Sequence, residues 1–538
     1  MDEYSKEMIK RYLVKRKQIL VIAVAVMIIT SVPYLIGFAS EGVNWRFTGF
    51  IIGVEDGNSY IAKMLSGSYG AWLFKTPYST MEQQGVLAFL PYILLGKAAA
   101  GTAIHYQLVV LYHCFRLFSG ILAILAAYDL ISIYIKKRIW KIWALSIYVL
   151  GGGGGWILVL LEKKGLLGSL PLDFISPESF GFLGLFGFPH LAFARAMLLW
   201  GLVLYLERRS GYLTGLLWMI LGLMQPLYVP VAWCVLGTHN LLQLINALIK
   251  KDNNKVKIKQ IKDDISNTIK AIIISSPLII YTGYAFVSDP FLITWATQNL
   301  LPSPHIVHYI IAYGLYLPIA ALGIRFIVVD DTRSGLLLMG WLVILPLLVY
   351  APVATQRRLA EGIWVVITIG LINFFENRPN LYKAKIIILY LAFPSTIIIY
   401  FGAIICAITL STPIFRPIEE VDMYLDIART AETNSVFLSS YDTGNNLPAW
   451  APVSVVFGHG PETTDHNMVK DDVVRLYSSE TSEQVRKKLL KKYHVDYIIV
   501  GPKEQEIGSW SAAKSDQLLN IYEKGDYAVY KTLANHGK

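Results

Sequence analysis

Charged residues are scarce in this sequence. They make up only 16% of the 538 positions, whereas apolar residues make up 54%, and the mean hydropathy is +0.48. Soluble domains carry about 25% charged residues. Apolar stretches recur along the chain, each near the roughly twenty residues that cross a bilayer. These features exclude an ordinary soluble protein and predict a polytopic α-helical membrane protein.

Cysteines and nucleotide-binding motifs are also scarce or absent. The three cysteines, Cys114, Cys234 and Cys406, lie in apolar segments, and no CxxC occurs. This excludes a disulfide framework and predicts apolar packing roles. The sequence has no Walker loop, no dinucleotide-binding fingerprint and no kinase-like glycine loop. A reaction driven by a free nucleotide is therefore not expected.

Hydropathy predicts about eleven transmembrane helices. The net charge of +10 comes largely from basic clusters in short loops between these segments, which keep such loops in the cytoplasm and do not indicate a nucleic-acid partner. This places the amino terminus inside and the carboxyl terminus outside the cytoplasmic (plasma) membrane. A short apolar segment, Val86 to Ala100, contains Pro91, so we expect an interfacial or re-entrant helix. The expected spans are about 19–39, 105–134, 139–161, 189–206, 211–226, 227–249, 270–288, 306–329, 335–351, 362–375 and 386–411.

Hydropathy falls after Thr412, which predicts two domains. Residues 1–411 form a transmembrane domain with a long first extracytoplasmic loop at 40–104. Residues 412–538 read as an extracytoplasmic soluble α/β domain, with helical spacing at 417–430 and 483–493 and strand-like runs at 435–439 and 495–500. The five glycines at 151–155 fall inside an expected span, where they allow close backbone approach.

The acidic pair Glu55-Asp56 lies about fifteen residues after the first span. Two adjacent carboxylates at a membrane surface repel each other and resist dehydration, so such a pair is typical of a site for a proton, a metal, a cation or a sugar. The alternative is a solvated loop or the first turn of a helix. Asn58 and Lys63 follow closely and extend this candidate site.

Three further polar sets fall on the same side of the membrane. They are His190 with Arg195, His305 with His308, and Arg357-Arg358 with Glu361. A guanidinium offers a fork of donors that matches a phosphate, so Arg357, Arg358 and Arg195 are candidate ligands for a lipid-linked phosphate. The alternative for such arginines is snorkelling to lipid headgroups, and for the histidines a structural role.

Two polar runs in the C-terminal domain, at 442–450 and 458–466, add candidates. The second contains His459, Glu462, Asp465 and His466 within eight positions. Such residues can ligate a divalent metal, but the spacing lacks the HExxH or CxxC pattern, so no metal site is assigned. A tight turn with capping side chains is the competing interpretation.

These strings and the overall layout resemble the GT-C glycosyltransferases, which include protein O-mannosyltransferases, the aminoarabinose transferase of lipid A and oligosaccharyltransferases. The similar strings are Glu55 to Tyr60, Pro189-His190 with Arg195, Gln356 to Gly362, and Gly458 to Thr463. The resemblance implies a hexosyl or pentosyl transferase. Its donor would be a polyprenyl-phosphate sugar, and its acceptor a lipid, glycan or protein at the outer face. A Trp-Trp-Asp run that reads sequons in oligosaccharyltransferases is missing, so transfer of a whole glycan is not expected.

The resemblance also implies residue roles. The acid of the family's first loop maps to Asp56 or Glu55, and we expect Asp56 to be the general base because Gly57 allows close approach of substrate. Arg357, Arg358 and Arg195 would hold the donor phosphate. Asn58, His190, His305, Glu361, His459 and Glu462 are expected to contact substrate.

Two other functions stay open at this point. A transporter or flippase for a lipid-linked substrate also places polar residues near a bilayer face, although we find no inverted repeat. A non-catalytic membrane assembly protein is the second alternative. Membrane lipids are expected partners in every case.

Overall fold

The computed structural model describes residues 3–251 and 254–533, which are mostly helical. The α-helices of the first half are α1 (Glu3–Ala39), α2 (Val54–Ser68), α3 (Leu90–Gly96), α4 (Ile104–Tyr134), α5 (Arg138–Leu150), α6 (Gly155–Leu160), α7 (Leu172–Ile175), α8 (Gly181–Gly187), α9 (Pro189–Leu206), α10 (Gly211–Met224), α11 (Tyr228–Ile249) and α12 (Lys255–Ser288).

The remaining α-helices run to the C-terminal domain. They are α13 (Pro290–Gln298), α14 (Ile306–Tyr313), α15 (Leu317–Asp330), α16 (Thr332–Val349), α17 (Ile363–Asn377), α18 (Tyr382–Tyr390), α19 (Pro394–Ile408), α20 (Ile418–Thr430), α21 (Tyr441–Trp450), α22 (His466–Tyr477), α23 (Glu483–Lys492) and α24 (Pro502–Ile507). Short 3₁₀ turns cover Leu166–Gly168, Gln356–Ala360, Pro379–Leu381 and Ala512–Lys514.

Within the described residues, seven strands form two sheets. They are β1 (Trp45–Phe47), β2 (Phe415–Pro417), β3 (Val436–Leu438), β4 (Ser454–Val455), β5 (Tyr497–Val500), β6 (Leu518–Lys524) and β7 (Tyr527–Thr532). β1 pairs antiparallel with β2, in the register Arg46↔Arg416. The other five strands make a mixed sheet in the order β4-β3-β5-β7-β6, in which β3 is parallel to β4 and β5 and β7 is antiparallel to β5 and β6.

The chain divides into two compact units. The first contains the residues up to Val32, Cys114–Thr282 and Leu301–Gly402, and the second contains Pro33–His113, Gly283–Leu300 and the residues from Ala403 onward. The first loop therefore packs in the same unit as the C-terminal sheet. The sequence boundary at residue 411 follows hydropathy alone, and it stays a prediction about which part lies in the membrane.

Eight helices of the described residues are long and apolar enough to cross a membrane, and a pair bent by 64°, α14 with α15, makes a possible ninth. The polytopic helical fold with a C-terminal α/β domain is thus confirmed. Two of the eleven expected spans are shorter: 139–161 breaks after the 13 residues of α5, and 211–226 is the 14-residue α10. At Val86–Ala100 only the seven-residue α3 forms, too short to cross a bilayer.

Close helix packing in the first unit depends on glycines, which have no side chain. A Cβ atom on Gly323 of α15 would overlap the carbonyl of Gly370 on α17. The glycine run acts similarly: Gly151 to Gly154 are not helical, Gly155 begins α6, and a Cβ on Gly153 would overlap the backbone of Ala312. These contacts support the predicted close backbone approach, but the run ends a helix where the sequence predicted a continuous span, because five glycines weaken a helix.

The second unit has its own core. Leu438, Val473, Leu476 and Ile498 are buried where α22 and α23 cover the sheet. The helices α20 and α23 and the strands β3 and β5 lie where periodicity predicts them. The β6–β7 hairpin and the helix α21 were not predicted. Because α21 contains Gly444 and Pro448, both poor helix formers, only its packing explains that helix.

Candidate active site

The acidic pair lies in the first turn of α2. That helix begins after Gly53, which has a left-handed conformation (φ 60°) and no capping side chain. Glu55 and Asp56 are the acidic residues of the first turn, where the helix dipole favours negative charge. The alternative of a helix N-terminus is therefore correct as a description of local structure, and it is compatible with a chemical role.

Asp56 remains available to solvent although its surroundings are buried. Its side chain is 53% exposed, and its Oδ1 lies 3.4 Å from Nε2 of His459, whose side chain is only 6% exposed. His459 lies in a tight turn. In this turn, Oγ1 of Thr463 accepts hydrogen bonds from the backbone N–H groups of Gly458 and His459. The turn interpretation of 458–466 is thus supported, and the turn presents His459 to Asp56.

Glu55 has a different environment from its neighbour. Its Oε2 accepts a hydrogen bond of 2.9 Å from the hydroxyl of Tyr441, and that hydroxyl accepts in turn from the N–H of Gly460. Burial first, and then the adjacent Glu55 carboxylate, raise the pKa of Tyr441, so the phenol stays protonated and donates. Glu55 is therefore bonded to α21, whereas the half-exposed Asp56 side chain lies beside His459.

A buried ion pair involves Lys63, which lies about two turns beyond Asp56 on α2. Lys63, 1% exposed, donates to Oε1 of Glu462 at 2.7 Å. Ser59 and Thr76 also donate to the Glu462 carboxylate, and Lys63 donates to Ser59. Nδ1 of His459 lies 3.7 Å from Glu462. The carboxylate of Glu462 thus connects α2, the first loop and the His459 turn.

The charge state of Glu462 follows from these contacts. Burial alone would raise its pKa, but the charges of Lys63 and His459 and the hydrogen bonds from Lys63 and Thr76 outweigh burial, and the pKa lies below its ordinary value of 4.5. Glu462 is therefore ionised and internally neutralised. This environment suits a structural residue better than the substrate contact that the sequence suggested.

Two other expectations for α2 need revision. Asn58 is 1% exposed and donates to the side chains of Asn445 and Asn446 at 2.8 and 3.0 Å, so its amide serves to connect α2 with α21. The space beside Gly57 is filled by the ring of Phe50. Packing against Phe50, not room for a substrate, thus explains this glycine.

The first unit contains a second polar cluster, in which Arg195 and Glu361 form an internal pair. Nε and Nη2 of Arg195 both donate to the Glu361 carboxylate, and its remaining bonds go to the carbonyls of Pro177 and Phe180. Both side chains are at most 3% exposed. Four of the five N–H groups of Arg195 are therefore used, and neither residue offers an open position to a ligand.

Arg357 and Arg358 differ from Arg195 in this respect. The side chain of Arg358 is 32% exposed. It forms an ion pair, in which its Nε lies 3.7 Å from Oε1 of Glu178. Arg357 is half-buried, and its Nε has no hydrogen-bond partner among the described residues. Two adjacent guanidinium groups with unused donors have the chemistry to bind an anion such as a phosphate, and their role as phosphate ligands stays a prediction.

Two histidines of this unit, His305 and His190, are candidate residues from the sequence. His305 caps α14, since its Nδ1 accepts from the N–H of Val307 at 3.3 Å. His190 lies in the first turn of α9, its ring edge-on to Phe188 at 6.5 Å. Their expected contact with substrate stays a prediction.

Sequence reasoning missed Tyr441 and Glu178, which partner the candidate residues. Neither lies in a motif, and only their position in space connects them to Glu55 and Arg358. Within residues 3–251 and 254–533, no group of three or more His, Cys, Asp or Glu side chains could hold a metal ion.

Comparison with known proteins places the fold. No family model matches the chain, and no curated protein matches its sequence. The arabinofuranosyltransferase AftD from Mycobacteria matches with a TM-score of 0.56 at 12% identity, over 95% of this chain and 40% of that one. ArnT from Cupriavidus metallidurans, bound to undecaprenyl phosphate, matches with a TM-score of 0.50 at 11% identity, over 94% and 98%. The chain therefore has the fold of the GT-C glycosyltransferases, as the resemblance predicted.

Replacing Lys63 by Met should strongly destabilise the protein, because Glu462 would keep its charge in a buried position without its cation. We expect a loss of about 3–5 kcal/mol, measured as a lower midpoint of thermal unfolding in detergent. The double variant Lys63→Met/Glu462→Gln should recover much of it. The control is Lys503→Met, which breaks the exposed pair with Glu506 and should cost at most about 1 kcal/mol.

The same pair predicts a pH dependence. Since the folded pKa of Glu462 is depressed, its contribution is present above the ordinary value of 4.5 and lost as pH falls through the lower folded pKa. Glu462→Gln should flatten the acid side of the stability profile. An unchanged acid limb, or a Lys63→Met variant as stable as the parent, would contradict this account of the pair.

Proposed function

We propose that this protein is a membrane glycosyltransferase. It would move a sugar from a polyprenyl-phosphate-linked donor to an acceptor at the outer face of the cytoplasmic membrane. The observation that carries the proposal is Asp56: a half-exposed carboxylate held beside a buried histidine, over a neutralised buried ion pair, in a chain with the GT-C fold. Buried partners restrain the geometry of this acid, and exposure lets a substrate reach it.

The acid–base chemistry is assigned to Asp56. The acceptor hydroxyl gives its proton to the Asp56 carboxylate while its oxygen forms a bond to the anomeric carbon, and the bond between that carbon and the lipid-phosphate oxygen breaks. His459 holds Asp56 in position, and Glu55, bound to Tyr441, orients the acceptor or tunes Asp56. A single displacement of this kind inverts the anomeric centre.

The departing lipid phosphate gains negative charge in this step, and Arg357 and Arg358 are assigned to it. Their unused N–H groups support this role, because preorganised cations stabilise charge as it develops. Arg195 is assigned a different role from the one expected, since its donors hold Glu361. The undecaprenyl phosphate bound by ArnT, a structure of the same fold, supports a donor of this class.

A membrane orientation belongs to the proposal. The amino terminus lies in the cytoplasm and the C-terminal domain outside, because the basic loops are then cytoplasmic. In a variant without Cys114, Cys234 and Cys406, a membrane-impermeant maleimide should label Ser479→Cys in intact cells and should label Lys259→Cys only after lysis. Both Ser479 and Lys259 are exposed to solvent. The reverse pattern would overturn the orientation.

Asp56→Asn should abolish transfer while the protein still folds. The change removes the base and keeps the size of the side chain, and loss of a general base costs about a hundredfold to ten-thousandfold in rate. Transfer from a polyprenyl-phosphate sugar is measured in membranes, and the unfolding midpoint is measured alongside it. Glu55→Gln is the matched control and should reduce the rate much less.

The comparison of the two acids also separates the alternatives. If Glu55→Gln has the large effect and Asp56→Asn the small one, the base is Glu55. Near-normal transfer in both variants would end the assignment of a base to this pair. Absence of transfer by the parent protein would favour a non-catalytic or transport role.

Arg357→Lys and Arg358→Lys should each weaken donor binding, because lysine lacks the bidentate fork. Replacement by Ala should cost about 1.5–3 kcal/mol in affinity for undecaprenyl phosphate, the range for a hydrogen bond to a charged group. Arg46→Lys is the control, since Arg46 donates to the nearby carbonyls of Gly42 and Trp45. If both lysine variants bind undecaprenyl phosphate as the parent does, the pair only anchors its loop to headgroups.

A further inference from the structure

A cavity lies in the second unit, outside the cluster around Asp56. Its volume is about 730 Å³, within the range of roughly 300–1,000 Å³ that is usual for small-molecule sites. One wall is the end of α2 from Ala62 onward, together with Tyr69, which follows the helix. The opposite wall is formed by residues 433–436 and 448–454 of the C-terminal sheet domain. The loop at 71–83 closes the third side. We refer to this cavity as the sheet-edge cleft.

The lining of the cleft is mixed, with more apolar than polar surface, and its formal charges cancel. Lys75 and Glu82 are its only residues of fixed charge, and they cancel. The side chains of Thr80, Glu82 and Ser454 make no hydrogen bond to other described residues, so their polar groups are open to a ligand. Tyr69, 48% exposed, supplies an aromatic face at one end.

The walls of the cleft are held together without a ligand. The N–H of Val455 in β4 donates to the carbonyl of Pro77 in the loop at 2.7 Å. Ser79 is hydrogen-bonded to Thr464 at 2.8 Å, and Gln83 bonds both backbone groups of Thr76. The cleft is therefore preformed, which lowers the ordering cost of binding.

The same contacts decide against an extended peptide as the occupant. β4 is the edge strand of the sheet, and an edge strand can bind a peptide by strand addition. Here the outward N–H of Val455 is already taken by Pro77, and the strand has only two residues. The near-zero charge also gives no reason to expect a phosphate or an acidic ligand.

We propose that the sheet-edge cleft binds a neutral oligosaccharide. A sugar chain presents hydroxyl groups to side chains such as Thr80, Glu82 and Ser454, and its C–H faces match Tyr69 and the apolar part of the lining. The cleft touches α2 from six residues beyond Asp56, about 9 Å along the helix axis. It is thus a binding site additional to the transfer chemistry, and it can be tested without a donor.

The test uses the full chain in lipid nanodiscs and fluorescently labelled mannotriose, maltotriose and arabinotriose, with a labelled neutral pentapeptide for comparison. Binding is followed by fluorescence anisotropy. At least one trisaccharide should bind with a Kd below about 1 mM, a modest affinity that a few hydrogen bonds can provide. The peptide should not bind.

Ser66→Phe is the blocking variant, because Ser66 lines the cleft. Ser68→Phe is its matched control: it lies on the same helix, is also half-buried, makes the same hydroxyl bond to the carbonyl three residues back, and does not line the cleft. Ser66→Phe should weaken trisaccharide binding at least tenfold, and Ser68→Phe should leave it within twofold. Unfolding midpoints show that both are folded.

If Ser66→Phe does not fold, Glu82→Ala at the exposed rim replaces it, with an expected weakening of about threefold to tenfold for one lost hydrogen bond. Absence of binding by all three trisaccharides, equal binding to the blocked variant, or preference for the peptide would each overturn the proposal. Because no donor is present, such a failure would leave the transferase proposal standing, and loss of transfer in Asp56→Asn would leave this one standing.

Discussion

The ion pair between Lys63 and Glu462 is the constraint on which the candidate site depends. It places a charge from the first loop against a charge from the C-terminal domain, with both side chains at most 4% exposed. Two charges so deeply buried are tolerated only when each satisfies the other and nearby donors complete the carboxylate, as Ser59 and Thr76 do. Residues almost 400 positions apart in the chain are thereby fixed in one arrangement, and the Asp56–His459 contact follows from it.

The number of hydrogen bonds that a polar side chain makes within the protein separates structural residues from those that can still bind a ligand. By residue type, Arg195, Arg357 and Arg358 are equal candidates for a phosphate. In the structure Arg195 donates four hydrogen bonds to other protein groups. Arg357 and Arg358 have N–H groups without a hydrogen-bond partner among the described residues. The same reasoning removes Asn58 and Glu462 from the substrate contacts, whereas Asp56 is retained because its side chain is 53% exposed. A polar group that is already satisfied gains little from a ligand, because binding would only exchange one hydrogen bond for another.

The fold could be predicted from sequence further than the site could. Hydropathy depends on the local chain alone, so the apolar segments, the C-terminal α/β domain, α20, α23, β3 and β5 were predictable. The break after α5 and the short α10 were not, since hydropathy does not measure where a helix ends. Tyr441 and Glu178 could not be found because they act through contacts distant in sequence. The helix α21 forms against the preferences of Gly444 and Pro448, a case in which packing overrides propensity.

His459 connects the structural and chemical parts of the proposed site. Its Nε2 faces Asp56 and its Nδ1 faces Glu462, yet Nδ1 has no hydrogen-bond partner among the described residues. Glu462 is already neutralised by Lys63, whereas the negative charge of the Asp56 carboxylate lies at the half-exposed edge of the cluster. A proton arriving on Asp56 would remove that charge, and His459 is the group that would experience the change first. In the proposed reaction, Asp56 would therefore change its charge outside the buried pair that connects α2 with the C-terminal domain.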